Sequence, residues 1–117
     1  MAAPNLLNPS TITGKTAVQA VGTSATAIVT NSAASGIALK VNALYVSNVD
    51  GTDNADITLD IFRSSVAYHI GKTIVVPADA TLDIISKPIY LEESDTLRLT
   101  ANAASDLEAV CSYEDIS

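Results

Sequence analysis

The chain has 117 residues with 13 acidic against 6 basic side chains, a formal net charge of −7; it is long enough for one domain with its own core and repels duplex nucleic acid and anionic membranes. A single cysteine and a single histidine exclude an internal disulfide and any multi-histidine metal centre. No Trp and only one Phe are present, so the core has to be built from Ile, Leu and Val.

Residues 1–10, MAAPNLLNPS, come first and show no alternation. Pro4, Asn5, Asn8 and Pro9 interrupt any apolar run, so neither a secretion signal nor a core strand is expected in this segment. The segment reads as an extended arm carrying the apolar pair Leu6 and Leu7. Such a pair has nothing to bury against within its own arm, so it either frays or docks on a neighbour. Pro4, Asn5, Leu6, Leu7, Asn8 and Pro9 are therefore the candidate partner-binding residues. No stretch approaches the roughly 20 apolar residues of a membrane-spanning helix.

From residue 11 onward the period is two, which indicates strands with one apolar side. Strands are expected near 11–21, 25–30, 38–48, 55–63, 66–71, 73–76, 80–86, 88–91, 96–101 and 107–114, some of them merging. In LKVNALYV the alternation places Leu39, Val41, Ala43 and Tyr45 on one face and Lys40 and Asn42 on the other. In DITLDIF it groups Ile57, Leu59 and Ile61, in VAYHI Val66, Tyr68 and Ile70 with His69 opposite, and in LEAVCSYE Leu107, Ala109, Cys111 and Tyr113. Turn-forming clusters separate these runs at 31–36, 49–54, 63–65, 77–79, 92–95 and 102–106. About eight short strands at this spacing predict an all-β, single-domain antiparallel β-sandwich of jelly-roll type over 11–117, with 1–10 as its arm.

ADITLDI at 55–61 and ADATLDI at 78–84 differ at one position, and SDTLRLT at 94–100 is a looser copy. Each reads as the same strand entry: an acid closing the turn, Thr outward, Leu inward, a charge outward and another aliphatic inward. By this reading Glu92, Glu93 and Asp95 form a solvated turn between a strand ending at Leu91 and one starting at Thr96, with Arg98 facing water.

Chemistry-bearing motifs are sparse. His69 is expected outward on a strand as a solvated imidazole, with no orienting partner. Cys111 lies among LEAVCSYE with no nearby cation, so a buried, unreactive thiol is expected. Asp50, Asp53 and Asp56 in DGTDNAD offer a weak calcium candidate but lack EF-hand ligand spacing; a polar turn explains them better, and no metal or other cofactor is expected. GKT at 14–16 and 71–73 lacks the upstream glycine of a phosphate loop, since Pro9 and Val66 stand there, and reads as turn or strand edge. Tyr45, Tyr68, Tyr90 and Tyr113 suit the rim of a core, with one or two left for a subunit contact.

The arm PNLLNPSTITGKT, the middle segment LKVNALYVSNVDGTDNADITLDIFRS and the ending VPADATLDIISKPIYLEESDTLRLTANAASDLEAVCSYEDIS resemble small virion structural proteins of tailed bacteriophages, particularly marine and cyanophage-like ones. The likeness spans nearly the whole chain and carries no catalytic signature. It implies a non-enzymatic virion component assembled in the host cytoplasm. A capsid decoration (cement) protein would bind the major capsid protein as a homo-oligomer, a trimer being the usual form, with many weak contacts adding by avidity. Within the same class stands a tail, neck, baseplate or fibre-attachment component. A carbohydrate-binding module is disfavoured by the shortage of aromatic rings, and a small hydrolase by the want of a convergent acid, base and nucleophile.

Overall fold

The computed structural model describes residues 3–117. Strands β1 (Ile12–Val21), β2 (Thr26–Thr30), β3 (Ala38–Asn48), β4 (Ala55–Arg63), β5 (Val66–Val76), β6 (Thr81–Asp83), β7 (Ile89–Leu91), β8 (Thr96–Ala101) and β9 (Leu107–Ile116) are entirely antiparallel where they pair. One sheet has the order β1-β9-β3-β6, with β7 also on β3; the other has β2-β8-β4-β5. Chain neighbours mostly fall in opposite sheets, which is the jelly-roll way of closing a sandwich. Among the described residues there is no helix.

The period-two rule explains why the sheets face each other. Leu97 and Leu99 on β8, Ile57 and Leu59 on β4, and Leu107, Ala109 and Cys111 on β9 alternate with more exposed residues and are almost wholly buried. Val21, Val41, Leu44, Val46, Val76 and Leu91 close the same core. Each such aliphatic side chain stabilises the fold by about 1.5–3 kcal/mol on leaving water. On β4 and β9 the inward set is the one the alternation predicts.

On β3 it is not. Leu39 and Val41 point inward as expected, but the pairing with β9 shifts between Val41 and Ala43, leaving Asn42 as an extra residue. A one-residue bulge swaps faces downstream. Leu44 and Val46 therefore enter the core, while Ala43 and Tyr45 turn outward. Simple alternation, which put Ala43 and Tyr45 inside, is overturned by that single residue.

The bulge also explains the broken strand beside β3. β6 pairs with Tyr45–Ser47 and β7 with Leu39–Val41, so the expected strand at 80–86 shrinks to three residues. Pro88, without an N–H to donate, stands at the re-entry to β7. The two runs near 66–71 and 73–76 merge instead into β5, which bulges twice against β4. β4 and β5 are joined by Ser64 and Ser65, both at positive φ (52° and 63°), the backbone of a two-residue hairpin turn of the type that matches strand twist.

The turn at 92–95 departs from expectation. Asp95 is 1% exposed. Its carboxylate accepts the Glu92 N–H at 2.8 Å and the Arg63 Nε–H at 2.6 Å, with Arg63 Nη2 on its second oxygen. Burial alone would raise the Asp95 pKa, but the Arg63 hydrogen bonds, the Glu92 N–H and the Arg63 charge together hold it below the ordinary carboxylate range. Arg63 rises in turn, through its hydrogen bond with Asp95 and that carboxylate's charge. Arg98, expected in water, instead lies flat on the outer face of its sheet. Its Nε donates to Asp60 Oδ1 at 2.9 Å and its Nη2 to Oδ2 at 3.2 Å, and its guanidinium stands 4.0 Å over the Phe62 ring. This cover buries Asp60 even though it points outward.

Two buried asparagines tie the loops to the ends of the sandwich. Asn31 Nδ2 donates to the carbonyls of Ile37 and Leu91, both at 2.9 Å. At the opposite end Asn48 Nδ2 donates to Asp53 and Val76, again at 2.9 Å, while Asn48 Oδ1 accepts the Asp50 N–H. Buried amides used on both sides in this way satisfy loop backbone groups that would otherwise cost free energy.

Candidate functional site

The arm leaves the body beside the C-terminus. Ser10 and Thr11 N–H groups both donate to the Ser117 carbonyl, at 2.7 and 3.0 Å, and Ser117 N–H returns to Thr11 at 2.9 Å. Among the described residues before this clasp there is no strand. Asn5 instead organises a tight turn: its Oδ1 accepts the Leu7 N–H at 3.0 Å and its carbonyl accepts the Asn8 N–H at 3.1 Å. Asparagine is suited to such local bonding. The turn presents Leu6, 50% exposed, and Leu7, 94% exposed. Pro4 and Pro9 flank it, each partly covered. The six partner-binding candidates thus form one knob, stiffened by an asparagine bridge and tipped with unburied leucine. Met1 and Ala2 lie outside the described residues.

The remaining candidates do not converge. Asp50 Oδ1 accepts the Thr52 N–H, the Asp53 carbonyl serves Asn48, and Asp56 N–H donates to the Asn102 side chain. The three acids belong to a polar turn and the start of β4, and no group of three or more His, Cys, Asp or Glu among the described residues is placed to hold a metal. His69 is exposed on β5 opposite Asp60, whose two oxygens are taken by Arg98. Cys111 is fully buried, and desolvation pushes its thiol up to about 11. The GKT segments lie inside β1 and β5, each an outer strand of its sheet.

Register reveals a surface that alternation could not. Val18, Val110 and Tyr45 are cross-strand partners over β1, β9 and β3 and form an apolar row on the outer face. A shallow groove of about 310 Å³ runs along Val18, Gln19, Ala20, Glu108, Ala109 and Val110. A second, of about 260 Å³, is lined by Ile61, Arg63 and Tyr68. The outward side of Val110 was legible from its own strand, but its alignment with Val18 and Tyr45 depends on pairing and on the Asn42 bulge. Only Tyr113 packs against the core; Tyr45, Tyr68 and Tyr90 are exposed, so the core-rim expectation fails for three of the four. Neither groove sets a nucleophile beside a base; their charged or phenolic linings are Glu108, Arg63 and Tyr68.

No family model matches the chain, and no curated protein matches it significantly. Among solved structures, it is similar to a chain of the Bacillus endospore appendages, described as a novel family of disulfide-linked pili. The TM-score is 0.54 at 16% identity, over 92% of this chain and 88% of that one. At that identity the likeness concerns the fold, and it agrees with the sandwich built above from strand order and register.

Proposed function

We propose that this chain is a structural subunit that joins a larger assembly through its N-terminal arm, and that the assembly is the virion of a tailed bacteriophage, with the chain as a decoration protein on the assembled head. The observation that carries the reading is the Leu6–Leu7 knob: two leucines held on an asparagine-bridged turn and left in solvent. Moving an exposed leucine into an apolar contact is worth about 1.5–3 kcal/mol. Repeated over many copies on a lattice, that modest gain becomes firm attachment.

Two further facts support a structural role. The two exposed grooves offer surface for contact, and the same sandwich serves in a pilus protein. The pili of that neighbour are disulfide-linked, whereas the lone thiol here is sealed in the core; the proposed attachment is accordingly non-covalent. The phage assignment itself rests on the sequence resemblance, and the acidic surface fits a coat component that must stay soluble before assembly.

The test is removal of residues 1–10. Coating of purified heads by the shortened chain is expected to fall at least tenfold in affinity, the effect of losing about 1.4 kcal/mol. Undiminished occupancy would exclude the arm. Copy number then separates the head from the second reading, a tail, neck, baseplate or fibre-attachment component, which the fold shared with a pilus protein supports. Hundreds of copies per particle support decoration, and a few dozen or fewer support the alternative.

A further inference from the structure

The sandwich has four outer strands, β1 and the β6/β7 pair in one sheet and β2 and β5 in the other. An outer strand offers a row of unpaired N–H and C=O groups to any other chain, and proteins blunt such rows with shortness, bulges, proline or charge. Three of the four are blunted. β2 has five residues and a bulge between Ala27 and Val29. β5 is bulged twice and carries Lys72. β6 and β7 have three residues each, with Pro88 just ahead of β7. β1 is neither short, bulged nor interrupted by proline, and it carries one charge. It runs ten residues in unbroken register against β9, from Ile12 opposite Ile116 to Val21 opposite Leu107, without proline or bulge. Its one charge, Lys15, is turned back onto Asp115 of β9 at 3.1 Å. Val18, on its outer face, is 73% exposed.

Charge selects the partner. Residues 1–37 contain no acid and a single base, although the chain as a whole carries −7. Two copies repel each other in most orientations, and the β1 side is where they meet without opposing carboxylates. We infer that β1 is a self-association edge, pairing antiparallel with β1 of a second copy about a two-fold axis. Like edges of equal length match, whereas the kinked β5 and the interrupted β6/β7 lane cannot follow a straight ten-residue strand. The nearest acids, Glu108, Glu114 and Asp115 on β9, are then separated from their counterparts by three strand spacings, roughly 14 Å. That exceeds the Debye length of about 8 Å at physiological salt. The contact is isologous and closed, and it leaves the Leu6–Leu7 knobs free for a different partner.

Two measurements test this. In a Cys111→Ser background, single cysteines are placed at Thr16, Ala17, Val18 and Ala20. About a two-fold axis, residues facing their own copies lie roughly 4.5–5.5 Å apart by Cα, within disulfide reach, whereas two residues along the strand the separation grows to roughly 14 Å. Oxidised dimer should therefore peak at one position or an adjacent pair and fall off on either side. Uniformly weak cross-linking overturns the inference. Light scattering of the unmodified chain should show a concentration-dependent dimer whose dissociation constant rises at least tenfold in Val18→Lys. Val75→Lys on β5, with circular dichroism confirming that both variants are folded, should leave it unchanged. A monomer at every concentration, or equal weakening by the two lysines, refutes it. The same dimer is expected after removal of residues 1–10, so failure of the arm and failure of this edge are read separately.

Discussion

Replacing Asp95 by Ala removes the carboxylate that closes the 92–95 turn and anchors Arg63. The Glu92 N–H loses its acceptor in a part-buried hydrogen bond, and leaving such a donor unpaired costs about 1–3 kcal/mol. Breaking a fully buried ion pair would cost about 3–5 kcal/mol, but the Arg63 side chain is 46% exposed and water takes over part of its solvation. The expected loss is thus about 2–3 kcal/mol. At about 2.1 cal/mol/K per residue, this domain has an unfolding entropy near 0.25 kcal/mol/K, so the thermal midpoint should fall by roughly 8–12 °C. Thermal unfolding followed by circular dichroism at neutral pH measures it. Because the folded pKa of Asp95 is depressed below 3.8, its stabilisation is fully present above that pH and is lost as pH falls through the folded value. The gap between wild type and Asp95→Ala should accordingly narrow in acid. Glu92→Ala, which removes only the exposed partner of Arg63, should cost under about 1 kcal/mol. If Asp95→Ala shifts the midpoint no more than Glu92→Ala does, or if the gap is the same at pH 7 and pH 2, the carboxylate does not hold this turn.

Two other outcomes follow from the backbone. Deleting Asn42 should convert the β3 bulge into a regular ladder without moving Leu39, Val41, Leu44 or Val46 off the core face; chemical denaturation should remain cooperative, with a loss below about 2 kcal/mol, whereas deleting Ser47 should abolish the transition because it reverses the facing of Asn48. Replacing Ser64-Ser65 by Asn-Gly suits the positive φ at both positions and should stabilise the hairpin by about 1 kcal/mol, read as a midpoint rise of roughly 4 °C; a fall would mean that the serines serve contacts beyond the turn.

Strand positions and the turn clusters between them were legible along the chain because period-two patterning and turn chemistry are local. ADITLDI places Ile57 and Leu59 inside whatever strand lies beside them, and Pro4 and Pro9 keep the arm out of the sheets without help from the fold. The same locality explains the Leu6–Leu7 candidate, whose isolation is visible from its own neighbours. What failed was what depends on a partner strand. Tyr45 follows the alternation of LKVNALYV, but the extra residue at Asn42 is defined only against β9. Asp95 reads as one of three acids in a polar turn, and nothing nearby in sequence announces that Arg63, 32 positions away, will claim it.

By itself the amino-acid sequence determined an acidic, disulfide-free, all-β body with a short apolar-tipped arm, because composition, periodicity and proline placement act within a few residues. Only the tertiary structure decided which strands became edges, which acids were drawn under an arginine, and that Val18, Val110 and Tyr45 line up in one row. Those outcomes rest on register, and register is a relation between distant segments: a single bulge reverses every side chain beyond it, and an outer strand is open or guarded according to what fails to pair with it.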